Sequence, residues 1–251
     1  MIIAISGKIG SGKDTVGNII QYLTGTFNNG SQKDNKICDV INYDEFSNRR
    51  KNHHYFKHSW EIKKFAGKLK QITAILTGCT VEELESQDFK NKELGEDWQY
   101  ILNNNFKPVN IETFKDDEVF KGNPNRFIKK YTYRDLLQKI GTDCMRDIIH
   151  ENVWVNALMV NYLPPHQSLD NKVEMYPNWI ITDMRFPNEL KAVKDRNGIT
   201  IRLQKGLDTN EGHLSETALD LVKFDYIINN NGSIEDLIEN VKEILILEKI
   251  I

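Results

Sequence analysis

The chain has few cysteines, no long apolar run and no surplus of one charge, and each shortage removes a class of protein. Cys38, Cys79 and Cys144 are odd in number and far apart, with no C-x-x-C spacing. That pattern argues against a disulfide framework and against a cysteine zinc site, so three reduced thiols are expected. No apolar stretch approaches the roughly 18 residues that a membrane-crossing helix requires. The run at residues 2–5 is too short for a secretion signal, and no basic region accompanies it. A soluble, cytoplasmic protein is therefore the expectation. The net charge of −3 offers no global attraction to nucleic acid or acidic membrane. An anionic ligand must be held by a local cluster of cations.

What is present suffices for a packed core. With 39% hydrophobic residues among 251, the chain is sized for one α/β domain with insertions or for two small ones. Its first sixteen residues read MIIAISGKIGSGKDTV. The apolar run at 2–5 suits a strand buried on both faces of a parallel sheet. A helical pattern opens at Lys13, with Val16, Ile19, Ile20 and Leu23 on one face. Between them Gly7-Lys8-Ile9-Gly10-Ser11-Gly12-Lys13 fits G-x-x-x-x-G-K, the phosphate loop. Glycines let backbone N–H groups curl around a polyphosphate, and the helix N-terminus adds donors and partial positive charge. Lys13 supplies a mobile point charge for the β- and γ-phosphates. A tight strand–helix turn would use the same glycines, but the flanking strand and amphipathic helix favour the nucleotide reading. Asp14 stands where the loop usually has Ser or Thr for Mg²⁺, and Thr15 comes one residue late. Asp14 either binds the metal, directly or through water, or simply favours the first helical turn.

Further on, residues 24–36 read as an exposed loop and 37–41 as a short strand. Residues 42–58 are polar; the adjacent His53 and His54 point different ways and lack partners at ligand spacing, so a solvated loop is expected. Trp60, Ile62 and Phe65 suggest a strand, followed by a helix over 66–76 with Leu69, Ile72, Ala74, Ile75 and Leu76 as its apolar side and Gly78 as its stop. A short helix is expected at 81–84. Residues 86–130 carry few signs of regular structure and read as an insertion or mobile segment. Lys90, Lys92, Arg126, Lys129 and Lys130 within it either neutralise nearby acids or close over phosphate.

Regular patterning returns at Thr132, where Thr132 and Asp135 form a capping-box pattern before a helix running through Ile149. Arg134 and Gln138 share a face, four residues apart. A second helix is expected at 152–163, with Trp154 in the core, before Pro164-Pro165 and a loop at 167–176. Trp179-Ile180-Ile181-Thr182-Asp183 is a strand ending in an acid, which is where phosphate-loop enzymes place the group that supports Mg²⁺ or its waters. Arg185 follows at the carboxyl end of that strand, the side on which open α/β sheets bind ligands. Asp183 and Arg185 alone would also make an internal ion pair. Pro187 opens another helix, Asn197-Gly198 ends it, and strands at 199–203 and 224–228 lead to a last helix capped near Ser233. Helices alternating with strands give a three-layer α/β fold: a mostly parallel sheet with helices on both faces and an inserted, lid-like segment.

Four blocks in this order resemble the phage-type deoxynucleoside monophosphate kinases, within the adenylate-kinase-like phosphate-loop group. They are residues 6–15, then Arg134 to Asp143 (RDLLQKIGTD), then Asp183 to Glu189 (DMRFPNE), and His213-Leu214-Ser215-Glu216 with Asn231-Gly232-Ser233. The Gly-Lys-Asp-Thr form of the loop also looks like this family's. The resemblance implies a single kinase domain over 1–251 that moves the ATP γ-phosphoryl group onto a deoxynucleoside 5′-monophosphate (dNMP). It implies that Gly7, Lys8, Gly10, Ser11, Gly12, Lys13, Asp14 and Thr15 hold ATP, with Asp14, Thr15 and Asp183 organising Mg²⁺. Lys13, Arg134, Asp183 and Arg185 would be the catalytic groups. Lys64, Phe65, Ala66, Lys90, Arg134, Gln138, Arg146 and Arg185 would meet the acceptor. Small-molecule partners are implied, without nucleic acid or membrane, and a homodimer is allowed. The rivals are another small-molecule kinase of this scaffold, resembling dephospho-coenzyme A kinase or phosphomevalonate kinase, and a nucleic-acid-linked ATPase. No basic stripe supports the latter.

Overall fold

Ile2, Ile3, Ala4 and Ile5 are all fully buried, which requires a strand covered on both faces. The computed structural model describes residues 1–27, 35–50, 55–102, 108–109, 128–163, 176–206 and 218–251. In chain order the elements begin with β1 (Ile2–Gly7), α1 (Lys13–Thr24), β2 (Thr26–Phe27), α2 (Tyr43–Arg49), β3 (Phe56–Lys57) and β4 (Trp60–Lys63). There follow α3 (Gly67–Thr77), α4 (Gln87–Lys90), β5 (Tyr100–Leu102), β6 (Pro108–Val109), β7 (Ile128–Lys129) and α5 (Tyr133–Gln138). The chain closes with α6 (Val153–Met159), β8 (Asn178–Ile181), α7 (Pro187–Lys194), β9 (Ile199–Gln204), β10 (Tyr226–Asn229) and α8 (Ile234–Leu247). Two compact units result: residues 1–65 with 154–251, and residues 66–153.

In the first unit, five parallel strands lie in the order β10-β9-β1-β8-β4. Alternation along β1 sorts the core. Ile3 and Ile5 pack with Val16, Ile19 and Ile20 of α1 and with Leu237, Val241 and Leu245 of α8. Ile2 and Ala4 face the other way, onto Val155 and Leu158 of α6 and Val193 of α7. Each large aliphatic buried this way contributes about 1.5–3 kcal/mol. Gly17 lets α1 come close to the sheet, because a Cβ there would lie 2.8 Å from Thr182 Cγ2. These are the three layers expected, with the sheet all parallel.

The stretch between α1 and β4 differs from expectation. Residues 37–41 form not a strand but a 3-10 turn at Ile37–Asp39. The Val40 and Ile41 N–H groups both donate to the Ile37 carbonyl, and the Ile41 carbonyl accepts from the Tyr22 hydroxyl, so no strand partner is needed. The polar segment after it is not a plain loop either. Asn42 caps α2 by accepting the Glu45 N–H at 2.9 Å, and Phe46 is fully buried between the rings of Tyr22 and Phe56. Phe46 is the one fully buried residue of this short helix, with Tyr43 packed beside it. β2 and β3 pair antiparallel at Thr26↔Lys57 and Phe27↔Phe56. His53 and His54 lie outside the described residues.

In the second unit Gly78 ends α3 at φ 74°, as anticipated. Ile75 and Leu76, however, are exposed, and the buried position is Thr73, whose hydroxyl donates to the Leu69 carbonyl at 3.0 Å. The short helix expected at 81–84 is a 3-10 turn, Glu83–Glu85, held by reciprocal Thr80–Glu83 bonds. Within 86–130 the described residues include α4 and the antiparallel sheet β6-β5-β7, while Arg126 lies outside them. Thr132 and Asp135 form the anticipated capping box. Burial opposes ionisation of Asp135, but bonds from the Thr132 hydroxyl and N–H win and hold the carboxyl below its usual range. Past α5 the helix widens into π-type turns over Lys139–Ile149, closed by the His150 N–H on the Met145 carbonyl. Expectations for Pro164-Pro165, most of 167–176 and 207–217 fall outside the described residues. No described helix is long and apolar enough to cross a membrane, and no disulfide joins the three cysteines.

Asp225 joins three elements at the edge of the first unit. Its carboxylate accepts the Thr200 N–H and hydroxyl, each at 2.8 Å, and pairs with Lys194. Burial alone would raise its pKa, but these bonds lower it below the usual carboxylate value. A depressed folded-state pKa stabilises above the unfolded value of about 4 and is lost as pH falls through the folded one. Asp225→Asn should therefore lower the melting temperature at pH 7, and its deficit should shrink as pH falls from about 5 towards 3. A deficit independent of pH would show that the charge contributes nothing.

Candidate phosphate site

The loop between β1 and α1 takes its form from two left-handed glycines, Gly10 at φ 76° and Gly12 at φ 97°. Residues with a Cβ are strained at such angles. The Ser11 N–H closes a turn on the Lys8 carbonyl at 3.2 Å, and the Val16 N–H starts the helix on the Gly12 carbonyl at 3.0 Å. The N-cap residue of α1 is Gly12, which has no side chain to cap the first turn. The first N–H groups of the helix lie beyond the reach of the intrahelical ladder and form an anion-binding end. Ser11 is buried, and its Oγ has no hydrogen-bond partner among the described residues. The Lys13 ammonium lies back across the loop, donating to the Gly7 and Lys8 carbonyls at 2.7 Å each.

Around this loop the first unit gathers further charged groups. The Thr182 hydroxyl donates to Asp14 Oδ1 at 2.7 Å, and the Lys64 ammonium lies 3.2 Å from the same oxygen. Asp14 thus ties the first turn of α1 to the carboxyl ends of β8 and β4. Thr15 is half-buried beside it. Asp183 is buried and accepts the Phe65 N–H at 2.8 Å, which anchors the segment leaving β4. Asp183 and Arg185 form no ion pair among the described residues. The Arg185 N–H and Phe186 N–H both donate to Glu189 Oε2, at 2.7 and 3.1 Å. Buried Glu189 therefore folds the turn that presents Arg185, whose guanidinium has no partner among the described residues.

The remaining sequence candidates belong to the second unit. Arg134 donates through Nε to Asn91 at 2.9 Å and through Nη2 to Gln87 at 2.8 Å. Both partners are neutral amides flanking Lys90 on and just after α4, so they orient the guanidinium without cancelling its charge. Gln138 lies one turn further on α5. Arg146 makes a long 3.5 Å contact with the Glu151 carbonyl. Ala66 stands at the start of this unit, ahead of α3.

Sequence reasoning passed over Thr182, Asn230 and Arg202. Arg202, buried in β9, donates to Ser6 Oγ at 2.9 Å, pairs with Asp220 and covers the Phe224 ring at 5.7 Å. Asn230 donates to the Ser11 carbonyl at 2.8 Å. The available signal was position: each lies in or just past a parallel strand, towards its carboxyl end.

Asp183→Ala would leave the Phe65 N–H buried and unpaired, at a cost of about 1–3 kcal/mol in urea unfolding. Asp183→Asn keeps an acceptor oxygen and should lose less. Equal losses would show that the bond does not anchor this junction.

A sequence model described as "Deoxynucleotide monophosphate kinase" matches residues 1–241. The chain is 24% identical over 132 residues to the deoxynucleotide monophosphate kinase of Escherichia phage RB69, covering 52% of each chain. It is 27% identical over 122 residues to that of Enterobacteria phage T4, covering 48% of each. In these alignments the chain spans about half the length of the relatives it matches. With the family match running over nearly the whole chain, this protein belongs to the deoxynucleotide monophosphate kinase family.

Proposed function

We propose that this chain transfers the γ-phosphoryl group of ATP to the 5′-phosphate of a deoxynucleoside monophosphate. The observation that carries the reading is Lys13, laid by two backbone carbonyls across a glycine-built anion loop in a chain of this family. An oxygen of the acceptor phosphate attacks the γ-phosphorus. The bond from that phosphorus to the β,γ-bridging oxygen breaks, ADP leaves with the electron pair, and a deoxynucleoside diphosphate forms. The acceptor is already an anion at neutral pH, so no strong base is required. Positioning and charge neutralisation supply the catalysis.

In this reading residues 7–15 cradle the donor phosphates, and Lys13 leaves its carbonyls to meet the transferring group. Arg185 and Arg134 bind the acceptor phosphate or the migrating charge, with Lys64, Lys90 and Arg146 in support. Gln138 offers a donor and an acceptor to the base. Phe65 and Ala66 open the acceptor-binding helix. Asp14, Thr15 and Asp183 are hard oxygen donors of the type Mg²⁺ takes. Among the described residues no cluster of three or more acids, histidines or cysteines would hold a metal by itself. When bound, Mg²⁺ neutralises the β- and γ-oxygens. The two compact units are read as one kinase domain, with an insertion at about 86–130.

ADP release measured with ATP, Mg²⁺ and a panel of deoxynucleotides, ribonucleotides, dephospho-coenzyme A and no acceptor tests the reading. Release should depend on one or a few dNMPs; release without acceptor, raised by DNA or RNA, would replace the kinase with an ATPase. Lys13→Ala should lower turnover by roughly a hundredfold or more. Arg185→Ala should raise the KM for the acceptor while ATP binding survives. Unchanged acceptor kinetics would make Arg185 structural.

A further inference from the structure

The Ser11–Gly12 peptide of the phosphate loop is bonded by a side chain from near the other end of the chain. Asn230 Nδ2 donates to the Ser11 carbonyl at 2.8 Å. The same nitrogen would lie 2.8 Å from a Cβ built on Gly12, so the amide is packed directly against this peptide. We propose that Asn230 is a positioning residue that fixes the Ser11–Gly12 peptide with its N–H turned into the phosphate loop.

In a trans peptide the C=O and the following N–H point in opposite directions, and the described residues contain no cis bond. Holding the Ser11 carbonyl on Asn230 therefore turns the Gly12 N–H the other way, towards a bound phosphate. Glycine at position 12 leaves this peptide little intrinsic preference, so without the clamp it can flip and present its carbonyl to the anion. The clamp is itself rigidly mounted. The Asn230 N–H donates to the Gln204 carbonyl at 2.7 Å, at the end of β9. Asn231 Oδ1 accepts the Gly206 N–H at 2.7 Å, and Ser233 caps α8. A loop without regular structure of its own thus takes its register from β9, β10 and α8.

The inference rests on the reading of the loop as a nucleotide site and not on the identity of the acceptor. Calorimetric titration of wild type, Asn230→Ala and Asn230→Asp with MgADP tests it. Asn230→Ala should weaken MgADP by about tenfold, the upper scale of one hydrogen bond. Asn230→Asp keeps the shape but sets an acceptor against the Ser11 carbonyl, and it should weaken MgADP at least as much. In turnover the KM for ATP should rise similarly while the KM for the acceptor stays put. MgADP affinity within about twofold of wild type in either folded variant would overturn the proposal, as would equal rises in both KM values. If Asn230→Ala does not fold, Asn230→Asp decides alone. Should the wild type bind MgADP yet phosphorylate no dNMP, the kinase reading falls and the comparison of variants still decides the clamp.

Discussion

An anion loop needs several backbone N–H groups aimed at one point, and groups so aimed have no partner in the sheet or helix beside them. Everything around residues 7–15 answers that constraint. Two left-handed glycines make the turn, and the second of them, at the N-cap of α1, puts no side chain over the helix end. Lys13 rests on the loop's own carbonyls. The sheet places β1 at its centre, flanked by β8 and β9, so both neighbours reach the loop from their carboxyl ends. Thr182 comes from the first, and Arg202 bonds Ser6 from the second.

The substitution of Asp for Ser or Thr at position 14 acquires a physical context from these contacts. A hydroxyl there would be short and neutral; a carboxylate reaches the Thr182 hydroxyl and draws the Lys64 ammonium towards the first turn of α1. Gly17 makes this possible, since a larger residue would push α1 off Thr182. Asp183, the residue after Thr182, acts in a similar way by holding the backbone as the chain leaves β4. Two acids that resemble a metal pair in sequence therefore also tie strand ends together. Arg134 in the second unit shows a similar economy, being oriented by amides that leave its charge intact.

The features legible in the sequence are those whose cause is local. Gly-Ser-Gly-Lys before an amphipathic helix, Thr132 three residues before Asp135, and Pro187 at a helix start each state their own geometry. The buried run at residues 2–5 of β1 is legible because burial on both faces leaves only apolar side chains there. The misread elements depend on distant partners. α2 has a single fully buried anchor, Phe46, whose ring neighbours Tyr22 and Phe56 come from other segments, so its seven residues look polar. Ile37 seemed the start of a strand, yet its carbonyl closes a local turn. Asn230 and Thr182 meet their partners 219 and 168 residues away, a separation no spacing rule covers.

The central claim is phosphoryl transfer between two phosphates, and the products identify it. Phosphorus NMR of the protein with ATP, Mg²⁺ and a single dNMP would follow every phosphate at once. The account predicts that the β-phosphate signals of ADP and the deoxynucleoside diphosphate rise together in equal amounts, without inorganic phosphate. Inorganic phosphate rising with ADP while the monophosphate persists would contradict it, and would make the loop the site of a hydrolase.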